Sequence, residues 1–266
     1  MTTLPKVSII TVCLNSSKYL EDAIRSVIGQ TYKNTEYIII DGESADGTHE
    51  ILHKYSDNIN KVIIEKDKGV FDAMNKGIGM ASGEIIYFLN SDDKLHNSNT
   101  VENAVSFFIK NKDANFIYGN IEVFNPADNF SYIERYPHKI TKWLFIAKTI
   151  AQPGSFFKTN CFKKCGYFDI NYKFAADHDW YLKAIFLKKL KAVHIEDCIS
   201  VFRLGGLSNN RKYARDYFLE RKAIEKKYLN SFELLCADFM HAIKMFLGKK
   251  TMSFLHRTRV GVLNRK

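Results

Sequence analysis

The sequence has few cysteines, and their spacing argues against two common uses of that residue. Five cysteines stand among 266 residues, which is an odd number. They are scattered along the chain, so a disulfide framework is not expected. Cys161 and Cys165 are near each other, but no second Cys/His pair completes a zinc site. We therefore expect a reduced chain, as in the cytosol.

Long apolar runs are also missing. No stretch is long enough to cross a bilayer, and the first six residues lack the charged-then-apolar pattern of a signal peptide. The apolar share of 46% and the charged share of 26% are ordinary for a folded chain. From the missing apolar run and signal pattern we expect a cytoplasmic protein. Its length of 266 residues predicts one or two domains.

Two phosphate-binding motifs are absent as well. A dinucleotide fold would carry Gly-x-Gly-x-x-Gly after the first strand, where this chain has Val12-Cys-Leu-Asn15. No Gly-x-x-x-x-Gly-Lys-Ser/Thr loop occurs either. Phosphates are therefore not expected to be bound by a glycine-rich loop of either kind.

Charge is unevenly distributed along the chain. Residues 244–266 hold seven basic and no acidic residues, so residues 1–243 carry only +3 of the net charge of +10. A basic tail favours an anionic partner, either a membrane surface or a nucleic acid. The near-neutral body and the lack of a recognition-helix pattern disfavour nucleic acid.

Short apolar runs alternate with helical patterns over the first 116 residues. The strand-like runs are Val7–Cys13, Tyr37–Ile40, Lys61–Glu65 and Ile85–Leu89, and apolar residues at one-faced helical spacing lie between them. This alternation predicts an α/β fold with a mostly parallel, Rossmann-like sheet and helices on both faces.

The rhythm changes beyond Phe116. Short strand-like segments at 115–124, 155–157 and 200–203 surround a helical pattern over 177–190, and residues 213–246 are helical in pattern. We predict a catalytic domain over 1–215, with a nucleotide-binding half (1–115) and an acceptor half (116–215). A helical basic extension follows over 216–266.

Acidic residues follow three successive strands of the predicted sheet. Asp41 ends the second strand, Asp67 follows the third, and the paired Asp92 and Asp93 follow the fourth. The carboxyl ends of parallel strands share one edge, where open α/β sheets bind ligands. Paired carboxylates suit a hard divalent cation that also binds substrate phosphates. The alternative is ordinary turn chemistry, which explains one such residue more easily than three successive strand ends.

Several motifs in order resemble a known family. They are Pro5–Thr11 with Asn15, Asp41–Thr48, Asp67–Gly69 with Asn75–Gly77, Leu89–Asp93, Ala175–Trp180 and Arg203–Ser208. Together they resemble a family-2 inverting glycosyltransferase of the GT-A fold, of the bacterial surface-polysaccharide type. The resemblance covers the first 115 or so residues and resumes at the last two motifs.

The resemblance implies roles on the nucleotide side of the cleft. Asp41 would contact the base, Asp67 would be a second nucleoside-side carboxylate, and Thr11 and Asn15 would lie near base and ribose. Asn75 would be a polar contact on the following helix. Turn capping for Asp41, strand-end hydrogen bonding for Thr11 and Asn15, and an exposed helical position for Asn75 are the alternatives.

The resemblance also implies a metal-dependent reaction with Mn²⁺ or Mg²⁺. Asp93 would ligate the metal, Asp92 would face the sugar or a metal-bound water, and Arg203 would pair with the diphosphate. Many relatives carry a histidine just after this arginine, and here Leu204 follows it, so a third protein ligand is not identified. A surface position is the alternative for Arg203.

Asp177 matches the catalytic carboxylate of the family on the acceptor side. Inverting transfer needs a base opposite the nucleotide, within reach of the acceptor hydroxyl. The alternative role of Asp177 is to cap the helix that follows. Asp179 is the second candidate base, His178 is expected to face solvent, and Gln152 is a candidate for the acceptor site.

The implied activity is transfer of a sugar from a nucleotide-sugar, expected to be a UDP-sugar, to a glycan or lipid-linked saccharide in surface polysaccharide biosynthesis. The alternative is a non-catalytic domain of the same fold that binds sugar-nucleotides or glycans. The apolar and basic residues beyond Ser231 either pack on the body or lie on an anionic membrane surface, which would make the protein peripheral at the inner face of the plasma membrane.

Overall fold

The structure is a computed structural model that describes residues 4–206 and 210–243. The basic residues of the tail, from Lys244 to Lys266, lie outside the described residues, and so do Leu207 to Asn209. None of the helices within the described ranges is both long and apolar enough to cross a membrane.

The first half of the chain alternates strands and helices, as the sequence predicts. Its strands are β1 (Val7–Cys13), β2 (Thr35–Asp41), β3 (Lys61–Ile64), β4 (Ile85–Phe88) and the short β5 (Lys94–Leu95). Its helices are α1 (Leu20–Ile28), α2 (Thr48–Lys54), α3 (Val70–Met80) and α4 (Thr100–Lys110).

The second half has longer strands and shorter helices. Its strands are β6 (Phe116–Asn125), β7 (Phe130–Glu134), β8 (Ser155–Lys158) and β9 (Ala192–Arg203). Its helices are α5 (Lys142–Ala147), α6 (Asn160–Cys165), α7 (Ala176–Leu182), which continues as one π-helical turn to Leu187, and α8 (Ala214–Tyr228). A further helix, α9, covers residues 231–243.

Within the described ranges, nine strands form one sheet in the order β3-β2-β1-β4-β8-β6-β9-β5, and β7, outside this path, pairs with β6. The four strands β3, β2, β1 and β4 are parallel, as predicted. Beyond them the sheet is mixed, because β8 runs antiparallel between β4 and β6 while β6 and β9 are parallel. The fold prediction of an α/β architecture is confirmed, with the parallel part confined to the first half.

Apolar side chains cover both faces of the sheet. The strands β1 and β4 are fully buried, as expected for central strands with helices on both sides. One face carries the large aromatic cluster around Phe157 and Trp180, and the other packs α1 and α4. Burial of this kind fixes the strand ends, and therefore the loops that follow them, in space.

Helices α8 and α9 pack on the body through a small number of residues. Arg221, Ile224 and Glu225 are the buried residues of α8, and Ala237 and His241 are buried on α9. The predicted division at residue 215 falls within the first turn of α8 and stays a prediction.

Candidate active site

A cleft of about 1080 Å³ lies at the carboxyl edge of the sheet. This volume is at the upper end of the roughly 300–1,000 Å³ typical of ligand pockets. Both predicted halves contribute to its walls. The predicted site residues that line it are Asn15, Asp67, Asp92, Asp177, Arg203 and Gln152.

Asp92 and Asp93 occupy different depths at this edge. Asp92 borders the cleft, whereas Asp93 is 2% exposed and lies beneath it. The side-chain amide of Asn90 donates to Oδ2 of Asp93 (2.9 Å), and the backbone N–H of Arg203 donates to Oδ1 (2.9 Å). Of the two carboxylates, that of Asp92 is therefore the one presented to a ligand.

Burial makes both carboxylates hard to ionise. It raises the pKa of Asp92 and raises the pKa of Asp93 well above its ordinary value, with the adjacent Asp92 charge as the second cause for Asp93. Two neighbouring carboxylates that resist ionisation gain from a nearby cation. This donor set of carboxylate oxygens fits a divalent cation such as Mg²⁺ or Mn²⁺.

Arg203 is held in place at the end of β9. Its Nε donates to the backbone carbonyl of Asp92 (3.0 Å), and its guanidinium lies over the ring of Tyr19, 4.2 Å from the centroid. An ion pair with Asp22 over 3.3 Å fixes the outer end. The arginine therefore borders the cleft as a fixed cation rather than as a mobile surface residue.

Asp41 and Thr11 belong to the support of the cleft and do not line it. Asp41 is fully buried; its carboxylate accepts the N–H of Ser44 (2.9 Å) and a ring nitrogen of His49 lies 2.8 Å from it. Thr11 is also fully buried, and its hydroxyl is 3.0 Å from that of Tyr37. In this structure Asp41 holds the loop after β2 in shape.

That loop in turn positions Asn15. The N–H of Asn15 donates to the hydroxyl of Ser44 (2.8 Å), and its side-chain carbonyl accepts the N–H of Ala45 (2.9 Å). Asn15 has a φ of 50°, in the left-handed region that asparagine tolerates. A chain of contacts thus runs from the buried Asp41 through Ser44 to a residue of the cleft wall.

Asp67 lies in the same region of the cleft. Its Oδ1 accepts the N–H of Gly69 over 2.8 Å. Gly42 is so close that a Cβ there would lie 2.6 Å from the other oxygen, Oδ2. The loops after β2 and β3 therefore meet here, and Asp67 lies against Gly42, the residue after Asp41.

Asn75 joins two parts of the chain and does not line the cleft. Its side-chain amide donates to the carbonyl of Phe168 (2.9 Å) and accepts the N–H of the same residue (3.0 Å). This pair of bonds ties α3 to the loop after α6. Neither the implied ligand contact nor an exposed helical position describes it.

Asp177 also lines the cleft, in the first turn of α7. Its carboxylate accepts the N–H of His178 over 2.8 Å. Burial raises the pKa of Asp177 to about 6, so the group exchanges its proton close to neutral pH. A carboxylate with such a pKa at a cleft wall has the properties of a general base.

The neighbours of Asp177 have other roles. Asp179 is 7% exposed and pairs with Lys227 (3.2 Å) and with the hydroxyl of Tyr228 (3.1 Å), so it joins α7 to α8. The expectation that His178 faces solvent is wrong, because the residue is fully buried. Burial lowers its pKa well below the ordinary value, and its ring lies 5.7 Å from that of Phe145.

Sequence reasoning missed two residues of the cleft. Arg221 reaches it from α8, with its guanidinium donating to the backbone carbonyl of Phe145. Gly206 lies over Asp92, where a Cβ would be 2.5 Å from the carboxylate oxygen Oδ2. The run Gly205-Gly206 was a visible signal for close backbone approach, whereas nothing local marks Arg221.

Gln152 is buried in the cleft wall next to Pro153. It is 5% exposed, and neither atom of its side-chain amide has a hydrogen-bond partner among the described residues. Buried amides are almost always bonded, so an unpaired amide at a cleft suggests that a ligand completes it. The lining position agrees with its candidacy for the acceptor site.

Comparison with known proteins identifies the family. The sequence profile described as Glycosyl transferase family 2 matches residues 8–168. A PGL/p-HBAD biosynthesis glycosyltransferase of Mycobacterium bovis is 27% identical over 209 residues, which cover 77% of this chain and 80% of the relative.

Solved structures share the fold. TarS 1–349 of S. aureus in complex with UDP-GlcNAc superposes with a TM-score of 0.68 at 21% identity, over 88% of this chain and 70% of TarS 1–349. The mannosyltransferase PcManGT of Pyrobaculum calidifontis, in complex with GDP-Man and Mn²⁺, gives 0.66 at 16% identity, over 99% of this chain and 82% of its own. With the matched profile, this fold and this cleft, the chain belongs to glycosyl transferase family 2 and is a glycosyltransferase of the GT-A fold.

Proposed function

We propose that this enzyme transfers a sugar, with inversion, from a nucleotide diphosphate sugar to a hydroxyl of a glycan or lipid-linked saccharide. The observation that carries the proposal is that Asp92 and Asp177 line one cleft. Asp92 belongs to a carboxylate pair suited to a cation, and the carboxyl group of Asp177 has a pKa of about 6. These are the two chemical functions that direct displacement at an anomeric carbon requires.

Asp177 is the proposed general base. It takes the proton of the acceptor hydroxyl as the oxygen attacks the anomeric carbon, and the bond from that carbon to the diphosphate breaks on the opposite face. Asp179 is not available for this step, since Lys227 and Tyr228 hold its carboxylate. His178 is excluded by its full burial.

Asp92 is the proposed metal ligand, with Asp93 as the buried residue that supports it. This differs from the expectation that Asp93 ligates, and the difference rests on Asn90 and Arg203, which already occupy both Asp93 oxygens. A bound Mn²⁺ or Mg²⁺ would neutralise the charge of the diphosphate leaving group. Arg203, fixed against Asp92 and Tyr19, adds a positive charge at the same wall.

The nucleoside is proposed to bind along Asn15 and Asp67. A carboxylate such as Asp67 can accept the imide N–H of uracil, which is why we propose a UDP-sugar as donor. The complex of TarS with UDP-GlcNAc supports this choice by similarity. Asp41 and Thr11 then act indirectly, by holding the strand ends and the loop that carries Asn15.

The acceptor is proposed to bind at the wall formed by the second half of the chain. Tyr136, Gln152 and Arg221 line it together with Asp177. Aromatic rings and unpaired amides suit the apolar faces and hydroxyls of a sugar. The M. bovis relative is named for PGL/p-HBAD biosynthesis, which supports a glycoconjugate or surface polysaccharide as the product class.

A membrane-proximal location is proposed from α9. Three of its apolar side chains, Phe232, Leu235 and Phe239, are 67–68% exposed and share one face, opposite the buried Ala237 and His241. The basic residues of 244–266 follow directly in the sequence. An exposed apolar stripe next to cationic residues suits the cytoplasmic face of an anionic membrane.

A screen of nucleotide-sugars for hydrolysis, with and without Mn²⁺ or Mg²⁺, tests the proposed activity. We expect turnover of one or a few UDP-sugars that depends on the metal and is lost in Asp92→Asn. The competing function, a non-catalytic domain that binds sugar-nucleotides, predicts calorimetric binding without turnover of any donor, even when a mixture of glycan acceptors is present.

A further inference from the structure

A second group of metal-binding side chains lies outside the cleft. His138 follows β7, and His194 and Glu196 lie near the start of β9. One ligand atom from each of the three lies within 4.8 Å of the other two. Oε1 of Glu196 is 2.9 Å from Nε2 of His138 and 3.9 Å from Nδ1 of His194. None of the three residues lines the cleft around Asp92.

His194 provides a second, independent observation. Its side chain is 2% exposed, and neither ring nitrogen has a hydrogen-bond partner among the described residues. Buried imidazole nitrogens without partners are costly, because each loses its bonds to water. A metal ion bound at the Nδ1 edge, which faces Glu196, would satisfy one of them.

We propose that His138, His194 and Glu196 form a transition-metal site, with Zn²⁺ as the ion it takes. Two imidazoles and one carboxylate are a common zinc ligand set, and Zn²⁺ binds such ligands at about 2.0–2.2 Å. Mg²⁺ prefers oxygen ligands, so this set differs in kind from the aspartates of the cleft. The three residues leave a fourth position for water.

The site is separate from the proposed donor metal. On β6, His194 pairs with Tyr118 and Arg203 pairs with Phe124, and β9 is bulged between these two positions. The six residue steps of β6, at about 3.3 Å each, separate His194 from Arg203 by roughly 20 Å along the sheet. The predicted Mn²⁺ or Mg²⁺ belongs beside Asp92 and the diphosphate, and an ion at His194 would not reach it.

The ion would join two segments that form the acceptor side. His138 belongs to the loop after β7, and the hydroxyl of Tyr118 already donates to the carbonyls of Pro137 (2.6 Å) and His138 (3.1 Å). Tyr136, two residues earlier, lines the cleft, and its hydroxyl accepts the N–H of Ala151 over 3.0 Å. A zinc ion linking His138 to β9 would therefore stiffen this wall and leave the chemistry to the cleft.

Zinc retention by the full chain tests the site. The protein is prepared without a polyhistidine tag, treated with chelator, equilibrated with Zn²⁺ and excess Mg²⁺, and freed of unbound metal by gel filtration. Elemental analysis then gives the zinc content, and Co²⁺ in place of Zn²⁺ gives a visible absorption spectrum that reports its ligand geometry. The test variants are His138→Ala and Glu196→Gln, both at exposed side chains (76% and 69%) where folding is not at risk.

Two matched controls separate this site from the alternatives. His96→Ala removes a histidine that pairs with one carboxylate, Glu122, over 3.5 Å, without belonging to the cluster. Asp92→Asn removes the proposed ligand in the cleft. We expect wild type, His96→Ala and Asp92→Asn to retain zinc at the cluster, with the Co²⁺ spectrum unchanged.

The two test variants are expected to lose zinc affinity by at least about 100-fold, since losing outer-shell groups alone costs 10–100-fold. In chelator, the two variants should have the same midpoint of thermal unfolding as wild type. In Zn²⁺, their midpoints should be lower than that of wild type. The proposal is overturned if wild type retains no zinc, or if His138→Ala retains as much as wild type. Zinc loss in Asp92→Asn alone would also overturn it, because the ion would then belong to the cleft.

Discussion

The backbone N–H of Arg203 donates to Oδ1 of Asp93 over 2.9 Å, although the two residues are 110 positions apart. This bond joins the end of β9 to the loop after β4. It holds Asp93 beneath the cleft and places the Arg203 side chain against the backbone of Asp92. The proposed metal site therefore depends on both halves of the chain.

Unequal effects of Asp92→Asn and Asp93→Asn on metal binding are the first prediction. Asp92→Asn removes the negative charge presented to the cation, so Mn²⁺-dependent donor binding should be lost. Asp93→Asn keeps the shape of the side chain but disturbs a group that supports the ligand. A loss of metal affinity of about 10–100-fold is typical when such a supporting residue is changed. Calorimetric titration of UDP in the presence of Mn²⁺ measures both. A larger loss in Asp93→Asn would restore the sequence-based assignment of Asp93 as the ligand.

Gly206→Ala should weaken metal and donor binding without unfolding the protein. The added methyl carbon would lie 2.5 Å from Oδ2 of Asp92, so the loop or the carboxylate has to move. Thermal unfolding and UDP binding with Mn²⁺ separate the two effects.

Gly79→Ala is the control for that substitution. Gly79 lies on α3, and nothing lies within 4 Å of the position its Cβ would take. Alanine there should leave binding unchanged and favour the helix by about 0.5–1 kcal/mol. Equal binding by the Gly206→Ala and wild-type proteins would contradict the close approach of this loop to Asp92.

The pH dependence of transfer should report Asp177. Its pKa is about 6, and the base acts only when ionised. The rate at low acceptor concentration should therefore fall about tenfold per pH unit below that value and level off above it. A rate–pH profile with donor held saturating measures this, and a flat profile from pH 5 to 7 would contradict the role of Asp177.

The free energy of unfolding should change with pH in the opposite sense to the rate, over the range below the pKa of Asp177. The pKa of Asp177 is higher in the folded protein than the ordinary 3.8. The folded state therefore binds more protons than the unfolded state between these values, so this residue makes the free energy of unfolding fall as pH rises from about 4 to about 6. Asp177→Asn should lack this contribution. Its midpoint of thermal unfolding should therefore rise relative to that of wild type as the pH increases from about 4 to about 6.

Membrane association should depend on the apolar stripe of α9. Changing Phe232, Leu235 and Phe239 together to serine should weaken binding to anionic vesicles by at least about tenfold, since each buried apolar side chain contributes about 1.5–3 kcal/mol. Ile109→Ser, at a 46% exposed position on α4, is the control. Unchanged sedimentation of the triple variant with the vesicles would refute the proposed contact.

The sequence predicted the strands of the first half and the convergence of Asp67 and Asp92 on one cleft, because both follow from short-range pattern and the geometry of parallel sheets. It could not predict which acids face the cleft. Asp41 and Asp93 turn inward because Ser44, His49 and the N–H of Arg203 bind their oxygens. Such partners are distant in sequence or depend on loop conformation.

The second half was harder to predict for the same reason. The antiparallel insertion of β8 between β4 and β6 leaves no local signal. Arg221 reaches the cleft from α8, which packs on α7, and His178 is buried beside Phe145 of α5. Helical periodicity located these residues on helices but did not give the faces that tertiary contacts bury.

The most direct test compares Asp177→Asn with wild type in two measurements on the same preparation, donor affinity and sugar transfer. The proposed mechanism predicts an unchanged dissociation constant for the UDP-sugar with Mn²⁺ and a loss of transfer of about 10²–10⁴-fold, the usual contribution of a general base. Transfer at the wild-type rate by Asp177→Asn would contradict it.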